Sequence, residues 1–308
     1  MPVSKNLHFI IAILLVVLSA CQQGSSIKTE KVEANKNSQH SLNFIVHPYD
    51  NPSRLVARFT PLCDYLGLIL GQPVNLVIAR SYVDQIQRIS KGQADIAYMG
   101  PTPFLRAQDH YLVDSQEKLI PIAAEEKDGK ASYRSVIIVR DDSDIQTVKD
   151  LVNRTLALGA PHSFSSHYVP RVLIGNAGLA FKDLRDFAFL GRHERVALAV
   201  LHGDFDAGGL NREVALLYQN ASPGLRILST SPPLPPHLII ARSGMEKKVL
   251  QQLSSALLEP DNEDESFRLA VQSLGAGTRF TNADMKFFER ARRIIATVES
   301  IPSELLTW

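Results

Sequence analysis

The fold is decided by residues 74–100, VNLVIARSYVDQIQRISKGQADIAYMG. Its first apolar run, 74–79, predicts a strand, and residues 82–91 predict a helix that Gly92 ends. Residues 95–99 predict a second strand, which stops at Gly100-Pro101. A strand, a helix and a second strand in this order indicate a parallel sheet with helices on its faces.

The same alternation continues on both sides of this unit. Upstream, 42–46 predicts a strand, apolar residues at helical spacing follow from Leu55 to Leu70, and Thr60-Pro61 predicts that the helix restarts there. Downstream, strands are predicted at 135–140, 155–158, 187–190, 205–208, 225–228 and 238–241, and helices at 148–152, 165–177, 194–202, 212–219, 246–258, 265–274 and 283–298. Two successive α/β sets indicate two lobes, which we expect at 42–132 and 133–235. Residues 236–308 are expected to return and pack mainly on lobe 1.

The N-terminus predicts a lipid anchor. An apolar segment at 9–18 is shorter than the ~20 residues that span a bilayer, follows Lys5, and leads into Leu18-Ser19-Ala20-Cys21. Small residues before a cysteine resemble the lipobox of bacterial lipoproteins. We therefore expect a lipoprotein signal peptide at 1–20, acylation of Cys21 with chains such as palmitate, and a flexible polar tether at 21–41. The mature protein would lie outside the cytoplasm, in the periplasm or its equivalent, held on the cell membrane or the outer membrane. The alternative is a leader with a chance cysteine.

Composition excludes several classes of protein. The 308 residues carry a net charge of +1, which gives no support for a nucleic-acid partner. Hydrophobic residues make up 45% and charged residues 21%, as in an ordinary globular protein. With Cys21 acylated, Cys63 has no partner for a disulfide, and its apolar helical setting predicts a buried core residue.

Residues 160–166, APHSFSS, form the best candidate site. They leave a predicted strand and enter a predicted helix, whose free N–H groups bind anions readily. Ser163, Ser165 and Ser166 add hydroxyl donors, although the same serines could serve only to cap the helix. His193 opens the next helix, and it would donate to an anion either as a cation or through the single N–H of the neutral ring. The alternative for His193 is a surface or capping histidine.

Five segments together resemble a known family, the phosphonate/phosphite/phosphate-binding proteins of ABC transporters. They are DIAYMGP (95–101), YRSVIIV (133–139), SFSS (163–166) with Val169-Pro170, HERVALAV (193–200) and SPPLP (231–235), and their order and spacing match over about 42–290. The resemblance implies a type II periplasmic-binding-protein fold, in which two α/β lobes are joined by two crossover strands with a ligand cleft between them. It also implies a monomer that binds a small anionic ligand without a cofactor and delivers it to an ABC permease.

The resemblance further implies a set of ligand-binding residues: Tyr82, Met99, Ser163, Phe164, Ser165, Ser166, His193, Asn211, Glu213 and His237. Within it, Met99 displaces an aromatic residue of the family, and Phe164 replaces a middle hydroxyl and leaves only its backbone N–H. Glu213 fits one of two carboxylates that surround a ligand amine. His237 stands where the second is expected, which weakens recognition of an ammonium group and favours added negative charge. Arg192 replaces a small residue and either adds a guanidinium to the site or points to solvent.

Three other functions fit parts of the sequence. The same fold could present a bound ligand to a membrane histidine kinase or diguanylate cyclase. His162, His167, His193 and His237 could approach one cleft and hold a metal, but their spacings match no strong metal signature. Ser163 or Ser165 with His193 would suit nucleophilic catalysis, but an enzyme is not expected, because the sequence has no Gly-x-Ser-x-Gly elbow, no orienting acid by motif, no P-loop and no dinucleotide fingerprint.

Overall fold

The fold is that of a computed structural model, which describes residues 41–114, 118–221 and 224–300. The predicted signal peptide and Cys21, with the tether up to residue 40, lie outside the described residues. No helix within the described ranges is long and apolar enough to cross a membrane.

Eleven strands and nine α-helices alternate along the described chain. In order they are β1 (Leu42–Val46), α1 (Pro52–Leu70), β2 (Val74–Ile78), α2 (Tyr82–Ser90), β3 (Ile96–Met99), α3 (Pro101–Asp114), β4 (Ile120–Lys127), β5 (Ser135–Arg140), β6 (Thr155–Leu158), α4 (Val169–Asn176), β7 (Asp186–Phe189), α5 (His193–Leu201), β8 (Ala207–Asn211), α6 (Arg212–Ala221), β9 (Leu225–Thr230), β10 (Leu238–Ala241), α7 (Lys247–Leu258), α8 (Glu265–Leu274), β11 (Thr278–Thr281) and α9 (Met285–Glu299). Short 3₁₀ turns lie at Val148–Leu151 and Phe181–Asp183, and a π-helical turn lies at Phe164–Tyr168.

The strands form two sheets. The first has six strands in the order β11-β4-β10-β3-β1-β2, with β2, β1 and β3 parallel and β10 antiparallel to both β3 and β4. The second has five strands in the order β7-β6-β8-β5-β9, with β7, β6 and β8 parallel. The sequence at 74–100 thus forms a strand–helix–strand unit, and β1 lies between its two strands. We call the first sheet with its helices lobe 1 and the second lobe 2.

Helices cover both faces of the first sheet. In β1, Phe44 and Val46 belong to one apolar cluster and Ile45 to another, as the alternation of side chains along a strand requires. Cys63 of α1 is 2% exposed within the first of these clusters, and burial raises the pKa of its thiol to about 12. The expectation of a buried core cysteine is confirmed.

Two chain segments connect the lobes, one between β4 and β5 and one between β9 and β10. The backbones of Tyr133 and Leu234 exchange hydrogen bonds of 3.2 and 2.9 Å where the segments run side by side. The Ser231 hydroxyl accepts the Ser135 N–H at 3.0 Å, and Arg134 Nη1 donates to the Ser231 carbonyl at 2.6 Å. The two connections therefore brace each other.

Several boundaries differ from those predicted from the sequence. Helix α1 runs through Pro61 without a restart, and its start is set by Asn51, whose side chain accepts the Ser53 N–H at 2.9 Å. Helix α3 and strands β4 and β11 were not predicted. Strand β8 continues beyond Gly208, where the predicted strand ended. Gly208 and Gly209 allow neighbouring helices to approach the strand closely, since a Cβ on Gly209 would lie 2.6 Å from Pro170 Cγ.

Candidate ligand-binding site

A cavity of about 350 Å³ lies between the two sheets, and both lobes line it. Several lining residues directly follow a strand, as His47 follows β1 and Gly100 follows β3. Ligands of open α/β sheets bind at this position, beyond the carboxyl ends of the strands.

Most of the residues predicted for the site line this cavity, namely Tyr82, Ser163, Phe164, Ser165, His193, Asn211, Glu213 and His237. Met99 does not, because it is fully buried in the core on the opposite face of β3. The neighbouring Tyr98 lines the cavity in its place. Ser166 does not line the cavity either. Its hydroxyl donates to the Gly209 carbonyl and accepts the Gly159 N–H, which holds the loop against the sheet of lobe 2.

Residues 163–165 bring hydroxyl donors to the cavity. Ser163 caps the π-helical turn, since its Oγ accepts the Ser166 N–H at 3.2 Å. Tyr82 of α2 reaches across from lobe 1 toward Ser163; burial raises the pKa of its phenol, and the Ser163 hydroxyl partly offsets the rise. The phenol therefore stays protonated and able to donate.

His193 is held as a neutral ring. Its Nδ1 accepts the Asn211 N–H at 3.0 Å, so the ring proton sits on Nε2, which lies 3.4 Å from Ser163 Oγ. Burial lowers the pKa of His193 to about 4. Of the two ways in which His193 was expected to meet an anion, the geometry favours the neutral donor over the cation.

Asn211 and Glu213 stand at the start of α6. The Asn211 side-chain oxygen accepts the Glu213 N–H at 2.7 Å, so this residue both ends β8 and caps the helix. Glu213 is 44% exposed at the edge of the cavity, and its carboxylate lies 3.9 Å from Lys127 Nζ of lobe 1.

His237 contributes a flat, uncharged ring. It stacks on Tyr98 with 4.9 Å between ring centroids and 3° between planes, and it contacts Tyr133 at 5.1 Å. Burial, together with the nearby Arg58 and His193, lowers the pKa of His237 to about 3. The ring is therefore neutral near pH 7 in the ligand-free protein, so any preference for a ligand with added negative charge does not come from a charge on His237.

A buried ion pair borders the same rings. Arg58 Nη2 donates to Glu125 Oε1 at 3.0 Å, and the Tyr98 hydroxyl donates to Glu125 Oε2. Burial works against the charge of Arg58, but Tyr49, Tyr98 and Glu125 together raise its pKa above the ordinary value. The guanidinium thus stays charged beside the cavity.

The sequence prediction missed this second end of the cavity, formed by His47, Tyr49, Arg58, Tyr98, Glu125 and Tyr133. Arg192, by contrast, is not among the lining residues; its guanidinium lies 3.3 Å from Glu194 Oε1. The one local signal that could have identified part of the missed end was the position of His47 directly after a strand.

The histidine metal cluster considered as an alternative from the sequence does not form among the described residues. His162 and His167 lie outside the cavity lining, and His167 Nδ1 lies 2.6 Å from the Pro161 carbonyl oxygen. Among the residues with described positions, no group of three His, Cys, Asp or Glu side chains is placed to hold a metal ion.

Comparison with known proteins identifies the family. The sequence model described as "ABC transporter, phosphonate, periplasmic substrate-binding protein" matches residues 44–287. The chain is 27% identical over 221 residues to the phosphonates-binding periplasmic protein of Escherichia coli K12, covering 69% of this chain and 64% of that protein. It is also 27% identical over 207 residues to the phosphate-import protein PhnD of Mycolicibacterium smegmatis, covering 64% and 62%. The matches thus span a little less than two thirds of the length of these two relatives.

The fold is similar to that of PhnD1 from Prochlorococcus marinus, solved in complex with methylphosphonate, with a TM-score of 0.76. The identity to PhnD1 is 21%, and the match covers 85% of this chain and 99% of that one. The predicted type II periplasmic-binding-protein fold is confirmed. Because the family model covers most of the sequence, the chain belongs to the phosphonate-binding periplasmic substrate-binding proteins of ABC transporters, a family of binding proteins and not of enzymes.

Proposed function

We propose that this protein captures a small phosphorus oxyanion, a phosphonate, phosphite or phosphate, for an ABC transporter. The observation that carries the proposal is the group of neutral donors at one end of the cavity: the hydroxyls of Ser163, Ser165 and Tyr82, and the Nε2–H of His193. Such donors suit the oxygens of a tetrahedral anion, and binding requires no covalent step. The names of the relatives, which concern phosphonates and phosphate, support the same substrate class.

Capture would occur by closure of two lobes, 42–132 with 236–308 on one side and 133–235 on the other. Contacts across the cavity support this proposal. The backbone N–H of His193 donates to the Tyr49 carbonyl at 3.1 Å, and Arg54 Nη1 donates to the Tyr218 hydroxyl at 3.4 Å. Closure preorganises the donors and excludes water, which is how such clefts gain affinity.

The proposed site in the cell is the extracytoplasmic face of a membrane. Acylation of Cys21 would anchor a monomer there, with residues 21–41 as the tether and an ABC permease as the partner. The family match supports transport over sensing, the alternative drawn from the sequence. Replacing Cys21 by Ser should move the protein from the membrane to the soluble fraction and abolish labelling by palmitate; retention of the label would reject the anchor.

Calorimetric titration of the full-length chain in mild detergent tests the ligand. The panel is phosphite, phosphate, methylphosphonate, aminoethylphosphonate and sulfate, and at least one phosphorus oxyanion should bind saturably, with one ligand per chain. Ser165→Ala should weaken that binding by about tenfold, because a bound oxygen loses a hydroxyl donor. Ser300→Ala is the matched control, since the Ser300 hydroxyl is exposed and bonds only to the Thr297 carbonyl. Failure of every phosphorus oxyanion to bind would refute the proposal.

A further inference from the structure

Two hydrogen-bond donors at the second end of the cavity have no protein acceptor. The Tyr49 hydroxyl and Arg58 Nε are shielded from solvent, and neither has a hydrogen-bond partner among the described residues. Both residues line the cavity. Burial raises the pKa of Tyr49, so its hydroxyl keeps its proton, and Arg58 keeps its charge. Buried polar groups of folded proteins are usually paired with protein, water or ligand, and a ligand in the cavity can supply the acceptor for these two donors.

The carboxylates around the cavity are, in contrast, already engaged. Each has a cation within 4 Å: Glu125 with Arg58 at 3.0 Å, Glu213 with Lys127 at 3.9 Å and Asp50 with Arg54 at 3.8 Å. Both oxygens of Glu125 accept hydrogen bonds, one from Arg58 and one from Tyr98. At the second end, an ammonium group on a ligand would therefore meet two unpaired donors and a carboxylate, Glu125, whose oxygens are both occupied.

The second end lies beside the anion loop within the same cavity. The rings of Tyr82, His47 and Tyr49 follow one another with 4.6 and 5.0 Å between centroids, and Tyr82 lines the cavity together with Ser163. The Tyr49 carbonyl also accepts the backbone N–H of His193. In a cavity of about 350 Å³, one short ligand can reach both ends.

We propose that the ligand carries a carboxylate in addition to its phosphonate, and that Tyr49 and Arg58 donate hydrogen bonds to this carboxylate. The inference rests on the proposed function, and it narrows the substrate class from phosphorus oxyanions in general to carboxyphosphonates. The phosphonate occupies the loop at Ser163–Ser165, and the carboxylate supplies the acceptors that the second end lacks.

Three phosphonates, each with two carbon atoms, test the inference in titrations of the full-length chain: phosphonoacetate, ethylphosphonate and aminoethylphosphonate. Phosphonoacetate should bind at least about tenfold more tightly than ethylphosphonate, as expected for hydrogen bonds to a charged group. Aminoethylphosphonate should bind more weakly than ethylphosphonate. If ethylphosphonate binds and phosphonoacetate binds no more tightly, or if aminoethylphosphonate binds best, the inference is wrong while the proposed function stands. If none of the three binds and phosphate and phosphite also fail, both are wrong.

Variants test whether the two donors act as proposed, with the ratio of phosphonoacetate to ethylphosphonate affinity as the readout. Tyr49→Phe should reduce this ratio about fivefold or more, and Arg58→Lys, which keeps the charge beside Glu125 but removes Nε, should also reduce it. Tyr65→Phe is the matched control, because that hydroxyl donates to the Ala256 carbonyl away from the cavity. Equal weakening of both ligands by Tyr49→Phe and Arg58→Lys would show a merely structural role and overturn the inference.

Discussion

Mild acid should destabilise this protein strongly, because three histidines of the cavity are buried and neutral. Burial lowers the pKa of His193 to about 4 and that of His237 to about 3, and it holds the pKa of His47 well below the ordinary value. In the unfolded chain each ring has a pKa of about 6.5. Between pH 6.5 and pH 4 the unfolded state therefore binds more protons than the folded state. The contribution of these histidines to the free energy of unfolding is fully present above pH 6.5 and decreases as the pH falls.

The size of the effect follows from these values. A histidine that stays neutral in the folded state and titrates near pH 6.5 when unfolded contributes about 2 kcal/mol less stability at pH 5 than at pH 7. His193 and His237 together remove roughly 4 kcal/mol, and His47 adds to this loss, which is a large part of the total stability of many domains.

Urea unfolding in phosphate-free buffer at pH 7 and pH 5 measures the difference directly. His237→Gln should shrink the difference between the two pH values by about 2 kcal/mol, because one buried ring no longer titrates. His202→Gln is the matched control, since His202 is exposed at the end of α5 and its loss should leave the difference unchanged. A wild-type difference below about 1 kcal/mol would refute the reasoning, since it would mean that the folded protein accepts protons on these rings.

Two local substitutions test how the cavity walls are held in place. Ser166→Ala should lower the free energy of unfolding by about 1–3 kcal/mol, because the hydroxyl bonds to both Gly159 and Gly209; an unchanged urea midpoint would contradict this. Gly100→Ala should weaken ligand binding severalfold in titration, because a Cβ there would lie 3.2 Å from His237 Nε2 and displace the ring. Unchanged affinity would show that the ring position does not matter for binding.

The fold was predictable where local signals agreed with one another. Residues 74–100 predicted strand β2, helix α2 and strand β3 because the apolar runs of the strands and Gly92 after the helix gave consistent boundaries. Strand β4 was missed because Pro121 lies inside it; the strand accommodates the proline where its pairing with β10 shifts register between Ile239 and Ile240. Proline and glycine thus led to wrong boundaries for helices and strands where tertiary packing tolerates these residues inside an element.

The two ends of the cavity differ in the same way. The anion end was predictable because residues 163–166 are contiguous and begin a helical turn. The second end is assembled from residues far apart in sequence, since Arg58 lies on α1, Tyr98 on β3 and Glu125 on β4. Only the pairing of β10 with both β3 and β4 brings Tyr98 and Glu125 together, and no local pattern specifies that pairing.

Met99 was predicted for the site from the sequence, whereas the structure places the neighbouring Tyr98 there. Successive residues of a strand face opposite sides of the sheet, so one of these two side chains had to point away from the cleft. In a sheet with one solvent-exposed face, polarity would decide which one. Here helices cover both faces, Tyr98 and Met99 are both buried, and each belongs to a different apolar cluster. Tyr98 faces the cavity because its ring packs on Phe59 at 4.8 Å and its hydroxyl reaches Glu125, and both partners are set by long-range packing. For a strand buried on both faces, the sequence thus predicts which residues alternate between the two faces, but not which face binds the ligand.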